Sequence, residues 1–197
     1  ITRVERRLNE ERPRPPGARK IFIVTGTIGE GKTAWLAKLT GLLKEKGVSV
    51  GGILALRIVE EGTTTGYDVS DIATGNRTPF LRHTGNETMG VERFTVNDAG
   101  YEAGNRALGY EAIRDKDVII VDEIGPLELK DLGWSEGLEG LLKETDAVLI
   151  IAVRKSLTEA VTEKFGLAGA RIIDVASGDV LRYANDTESL TSQKPKQ

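Results

Sequence analysis

Two short segments carry residue types that could do chemistry together. The first, Gly26-Thr27-Ile28-Gly29-Glu30-Gly31-Lys32-Thr33, is a complete GxxxxGK[ST] pattern followed by Ala34. Holding a polyphosphate takes many donors converging on a small volume, and glycines let the backbone curl so that successive N–H groups point inward. A helix starting at Lys32 would add the positive end of its dipole. In such a P-loop the amides of residues 26–34 cradle the phosphates, Lys32 bridges the β- and γ-phosphates, and the Thr33 hydroxyl is offered to Mg²⁺. The second segment is Asp117-Val118-Ile119-Ile120-Val121-Asp122-Glu123, four apolar residues ending in two carboxylates. A P-loop needs an acid at the end of a buried strand, where open α/β sheets place their ligands. Asp122 is expected to bind Mg²⁺ directly or through water. Glu123 is expected to take the proton from an attacking water. An acid directly after the metal-holding Asp favours hydrolysis over small-molecule kinase chemistry, in which the acceptor is the nucleophile.

Charge developing on a transferred phosphoryl group needs a further cation. Arg154 follows the apolar run Val148–Val153 and is the first candidate for a catalytic phosphate sensor, against a surface arginine opening a helix. Arg57, Arg82 and Arg93 are weaker candidates. Glu128 reads equally as a site contact or as a helix-start carboxylate. His83, the only histidine, has no partners in the sequence for a metal site or a triad and reads as a surface loop residue. Trp35 and Trp134 read as packing residues.

The elements that must position these residues alternate in type. Ile21–Thr25 is a β-branched run entering the glycine loop, a buried strand. Lys32–Lys46 has apolar residues at 35, 36, 39, 42 and 43, which predicts a helix ended by Gly47. Val50–Val59, Thr65–Ile72, Thr78–Leu81 and Glu92–Val96 read as strands, with Gly62 closing a hairpin. Asp98–Arg114 reads as a helix capped by Asn97. Val118–Val121, Val148–Val153 and Ile172–Val175 read as further strands, with helices at about 135–144 and 157–165. The expected fold class is α/β: three layers, a mostly parallel central sheet and an inserted antiparallel β-hairpin region. The domain is expected over 20–184, with a polar, fraying tail over 185–197. Before it, 1–19 form a basic flexible arm, to which three prolines deny regular structure, as a linker or a contact for an upstream domain or protein partner. The chain starts at Ile1 rather than Met, as a trimmed chain or a piece of a longer protein would.

Composition bounds the rest. The 197 residues suffice for one domain with a full core. The formal net charge of −3 gives no reason to expect nucleic acid or an anionic membrane as partner. There is no cysteine, which excludes disulfides, thiolate zinc sites and cysteine nucleophiles and fits a cytoplasmic location. No apolar run approaches the roughly 20 residues needed to span a bilayer.

Asp122-Glu123-Ile124-Gly125-Pro126-Leu127-Glu128-Leu129 resembles the DEIGPMEL signature of the small P-loop nucleoside-triphosphatase family, of the thermophilic and cancer-related type. Gly66-Tyr67-Asp68-Val69 is similar to that family's GFDV segment. The likeness runs from about Lys20 to Val175 and is loose between Arg82 and Arg93. Leu127 replaces the usual Met, a near volume-neutral change. The resemblance implies a RecA-like core and Mg²⁺-dependent hydrolysis of several nucleoside triphosphates, ATP and GTP among them, to diphosphate and phosphate with loose base selectivity. Two rivals remain on the residues alone. One is a nucleoside or nucleotide kinase, for which Arg154-Lys155 is a meagre lid. The other is a nucleotide-dependent switch or motor part of a larger protein, although no NKxD motif for reading guanine occurs.

Overall fold

The computed structural model describes residues 20–84 and 94–191. The basic arm and Arg93 lie outside these residues. The strands are β1 (Ile21–Gly26), β2 (Val50–Glu60), β3 (Thr63–Asp71), β4 (Arg77–His83), β5 (Phe94–Val96), β6 (Val118–Ile124), β7 (Val148–Arg154) and β8 (Arg171–Asp174). The helices are α1 (Lys32–Glu45), α2 (Asp98–Leu108), α3 (Tyr110–Ile113), α4 (Ser135–Glu144), α5 (Thr158–Lys164) and α6 (Val180–Thr191). All eight strands form one sheet in the order β5-β4-β3-β2-β6-β7-β1-β8.

From β2 to β8 every neighbouring pair is parallel. These strands read as continuous apolar runs because both faces are covered. Alternate residues divide between two cores. Ile23, Ile119, Val121, Leu149 and Ile151 face α2, α4 and α5 through Leu108, Leu138 and Val161. Phe22, Val24, Ile120, Ile150 and Ala152 face α1 and α6 through Leu36, Leu39, Leu43 and Ala184. That is the expected three-layer α/β arrangement. The antiparallel insertion is part of the same sheet. β2 pairs with β6 over Val50–Ile53, then runs beyond it and pairs with β3 across the two-residue turn Glu61–Gly62. β4 and β5 extend this wing.

Three boundaries differ from the sequence reading. The helix expected over Asp98–Arg114 is broken at Gly109, whose extended backbone ends α2 and starts α3. β6 does not stop at Val121. It continues to Ile124, with its ladder to β7 irregular between Val121 and Ile124, so the acid pair sits in a bulge. Residues 185–191, read as the start of a tail, complete α6, where Thr187 is buried. Trp35 on α1 donates its indole N–H to the Gly178 carbonyl (2.9 Å) and packs edge-on against Tyr183 of α6. No helix among the described residues is long and apolar enough to cross a membrane.

Candidate functional site

The chain leaves β1 through α1 on one face of the sheet and leaves β7 through α5 on the other. The crevice between these departures lies at the carboxyl ends of β1, β7 and β6. Gly26 ends β1 directly opposite Arg154, which ends β7. Asp122 and Glu123 lie near the end of β6 beside them. Gly29 and Gly31 have φ of 80° and 94°, left-handed values that let the loop turn back on itself ahead of α1. Gly31 is the N-cap of α1, which has no side-chain cap, so its first amides are left for a ligand.

Lys32 is only 5% exposed. Its ammonium donates to the carbonyls of Gly26 (3.3 Å) and Thr27 (3.1 Å) and stands 3.7 Å from Glu123 Oε2. Arg154 Nε donates to Glu123 Oε1 at 2.6 Å. One cation from the helix and one from β7 therefore hold the two oxygens of Glu123. The carboxylate of Glu30 folds back and accepts the Thr27 N–H (2.5 Å) and hydroxyl (3.1 Å). The loop's own acid thus occupies an amide that an incoming phosphate would need. Ile28 is 79% exposed at the loop tip, and Ala34 is exposed.

Asp122 is 1% exposed. Burial pushes its carboxyl up to about 6, while the Thr33 hydroxyl and the Ala55 amide favour the charged form, the neighbouring Glu123 opposes it and Lys32 assists. Oδ2 accepts the Ala55 N–H at 3.2 Å. Oδ1 is buried without a hydrogen-bond partner among the described residues. An uncompensated carboxylate oxygen beside a threonine hydroxyl is a hard-oxygen donor pair, which suits Mg²⁺ completed by phosphate oxygens and water. The described residues hold no cluster of three or more His, Asp or Glu placed for a metal, so no all-protein cage is built here.

Beyond the acid pair a cavity of about 450 Å³ opens toward the antiparallel wing. Thr33, Asp122, Glu123 and Arg154 form its floor, and Tyr67, Phe80, Phe94 and Trp134 its walls. Phe80 and Trp134 pack with ring centres 4.8 Å apart, and Tyr67 meets Phe94 edge-on at 5.6 Å. Glu128 also lines this cavity. It accepts the N–H groups of Gly125 (2.7 Å) and Trp134 (2.9 Å), and burial holds its carboxyl above the usual range. It therefore ties down the 125–134 loop from within.

The weaker sequence candidates fall elsewhere. Arg82 is bound within the wing, donating to Asp68 (2.6 Å) and to the Tyr67 carbonyl. Arg57 is exposed on β2 and does not line the cavity. His83 ends β4 rather than lying in a loop, with its ring edge-on to Phe94. Sequence reasoning missed the aromatic wall and the Ala55 amide, since both are assembled by strand register and not by any contiguous motif. It also treated Trp134 as packing alone, although the ring lines the cavity as well.

A family model described as NTPase matches residues 21–180. The chain belongs to this NTPase family. It is similar to the nucleoside-triphosphatase THEP1 of Methanothermobacter thermautotrophicus, 31% identical over 73% of this chain and 81% of that one. The same-named protein of Methanopyrus kandleri is 36% identical over 67% and 73% respectively. Among solved structures, a human cancer-related nucleoside triphosphatase superposes with a TM-score of 0.66 at 23% identity, covering 91% of this chain and all of that one. THEP1 of Aquifex aeolicus gives 0.63 at 22% identity, covering 88% and 99%. These two likenesses speak to the fold of this NTPase. The expected family agrees with the family match, and the expected α/β class with the fold of these structures.

Proposed function

We propose that this NTPase hydrolyses nucleoside 5'-triphosphates to diphosphate and phosphate with Mg²⁺, with loose base selectivity. The observation that carries the reading is the meeting of Lys32 and Arg154 on Glu123, next to the unpartnered Asp122 oxygen. The amides of residues 26–34 bind the phosphate tail, displacing the Glu30 carboxylate from Thr27. Lys32 leaves its loop carbonyls for the β- and γ-phosphates. Thr33 and Asp122 would hold Mg²⁺, which would supply charge neutralisation to the phosphate tail. Glu123 orients a water whose oxygen attacks the γ-phosphorus, and takes the proton as the bond to the diphosphate breaks. Arg154 aims Glu123 and faces the charge that develops on the phosphoryl group. Turnover is expected to be slow, below the usual median of about 10 s⁻¹, since among the described residues the charge is met by Lys32 and Arg154 of the same chain.

The direct test of the loop is Lys32→Ala in equilibrium binding of a fluorescent nucleoside triphosphate with Mg²⁺. Saturable binding is lost in the variant and kept in the wild type. Unchanged affinity would overturn the assignment.

A further inference from the structure

We propose that Glu30 sets the affinity and anion selectivity of the phosphate loop, as a tethered anion that closes the empty loop and must be displaced by every ligand entering it. The inference rests on the nucleotide reading of the loop given above and deepens it to which anions the loop admits.

The loop's own sequence raises the matter. Its variable positions, 27–30, carry a single charge, and that charge has the sign of the ligand. A polyphosphate is drawn here by inward amides, by the first turn of α1 and by Lys32. A carboxylate in the same place is drawn by the same forces, and it is covalently attached.

The structure shows that carboxylate seated. Glu30 Oε2 accepts the Thr27 N–H at 2.5 Å and the Thr27 hydroxyl at 3.1 Å. Charge-assisted bonds of this kind are roughly twice as strong as neutral ones. A Cβ on Gly26 would stand 2.9 Å from the same oxygen, so the glycine that opens the pattern also makes room for it. Among the described residues no cation forms an ion pair with Glu30. Lys32 turns to Glu123 and two loop carbonyls, and Lys155 to Asp174 (2.9 Å). The loop therefore carries a negative charge that only its own donors offset. Glu30 is exposed, so water takes up the carboxylate once it is released.

The consequence is selection by strength of attachment. Displacing Glu30 costs the same for every anion. A nucleoside triphosphate, gripped by several amides and by Lys32 at two phosphates, can meet that cost. Orthophosphate makes few of those contacts and cannot. Nucleoside diphosphate is left bound more weakly than its contacts alone would hold it. Glu30 thus keeps free phosphate out of the empty loop and eases the departure of products.

The experiment titrates the full chain with a fluorescent nucleoside triphosphate and Mg²⁺, then displaces this probe with ADP or with inorganic phosphate. Glu30→Gln keeps the side-chain length and an acceptor oxygen and removes only the charge. It is expected to bind the probe and ADP about tenfold tighter than wild type, the difference between a charged and a neutral acceptor at Thr27. Inorganic phosphate should displace the probe from Glu30→Gln at free-site occupancies that leave the wild-type loop empty of it. Glu30→Ala, which also gives up the Thr27 contacts, should bind at least as tightly as Glu30→Gln. Equal or weaker binding by Glu30→Gln overturns the proposal. Weaker binding by Glu30→Ala makes the residue a brace of the loop and overturns it too. Lys32→Ala in the same titration separates the two readings. If wild type binds no probe, or Lys32→Ala binds it equally well, the nucleotide reading of the loop fails. If both behave as expected and the Glu30 variants do not, this proposal alone fails.

Discussion

Asp122 carries the largest electrostatic cost in the site. Its carboxyl titrates near 6 when folded against an ordinary value of 3.8, chiefly because it is buried. Below pH 3.8 it is neutral in both folded and unfolded chains and costs nothing. As pH rises toward 6 the unfolded carboxyl ionises while the folded one resists, so stability is lost through this window and the loss is complete above it. The shift corresponds to about 3 kcal/mol. Asp122→Asn, which can still accept the Ala55 N–H, is therefore expected to gain up to about 3 kcal/mol of stability over wild type without metal at pH 7.5, and close to nothing at pH 4. Urea unfolding at both pH values reads this, and a variant less stable than wild type at pH 7.5 contradicts it. At this scale the sequence was most legible where the chemistry is contiguous: Lys32 and Glu123 do approach each other. It was silent on Ala55 because an amide donor has no residue signature.

The 125–134 loop shows how one element depends on one buried acid. Two main-chain amides, Gly125 and Trp134, point at Glu128, and burial leaves them no water to turn to. Glu128→Ala is expected to cost about 2–4 kcal/mol by stranding both. It also loosens Trp134, so near-ultraviolet circular dichroism should lose aromatic signal before the sheet melts. Native signal and stability in the variant would remove Glu128 from this role. The sequence left Glu128 open between site contact and helix start because the segment carries only a three-residue 3₁₀ turn, Glu128–Lys130, too short to set a period. The bulge over Asp122–Glu123 was missed for a related reason. Two acids after four apolar residues look like the end of a strand, whereas β6 resumes at Ile124, which is fully buried.

Across the whole molecule, the three layers and the alternation of elements followed from apolar runs and glycine-rich turns. The sheet order did not, because nothing local says that β2 pairs with β6 at one end and with β3 at the other. α6 was unreadable for a different reason. Its inward positions include Ala184 and Thr187, small or polar residues that give little hydrophobic period, while Leu181 faces solvent. It nevertheless covers α1, the helix that carries Lys32, through Tyr183 and Leu190. A chain ending at Ala184 would leave too little of α6 to stay helical and is expected to melt about 5–12 °C below the full chain. An unchanged midpoint would make α6 dispensable.

The most direct measurement of the central claim is free phosphate released from ATP, GTP, CTP and UTP with Mg²⁺ by wild type and Glu123→Gln. Wild type should release phosphate from all four at rates within about tenfold of one another, a spread of about 1.4 kcal/mol. Glu123→Gln should fall by about 10²–10⁴-fold on each while still binding nucleotide. Full turnover in Glu123→Gln, or no release from any nucleotide by wild type, would contradict the account.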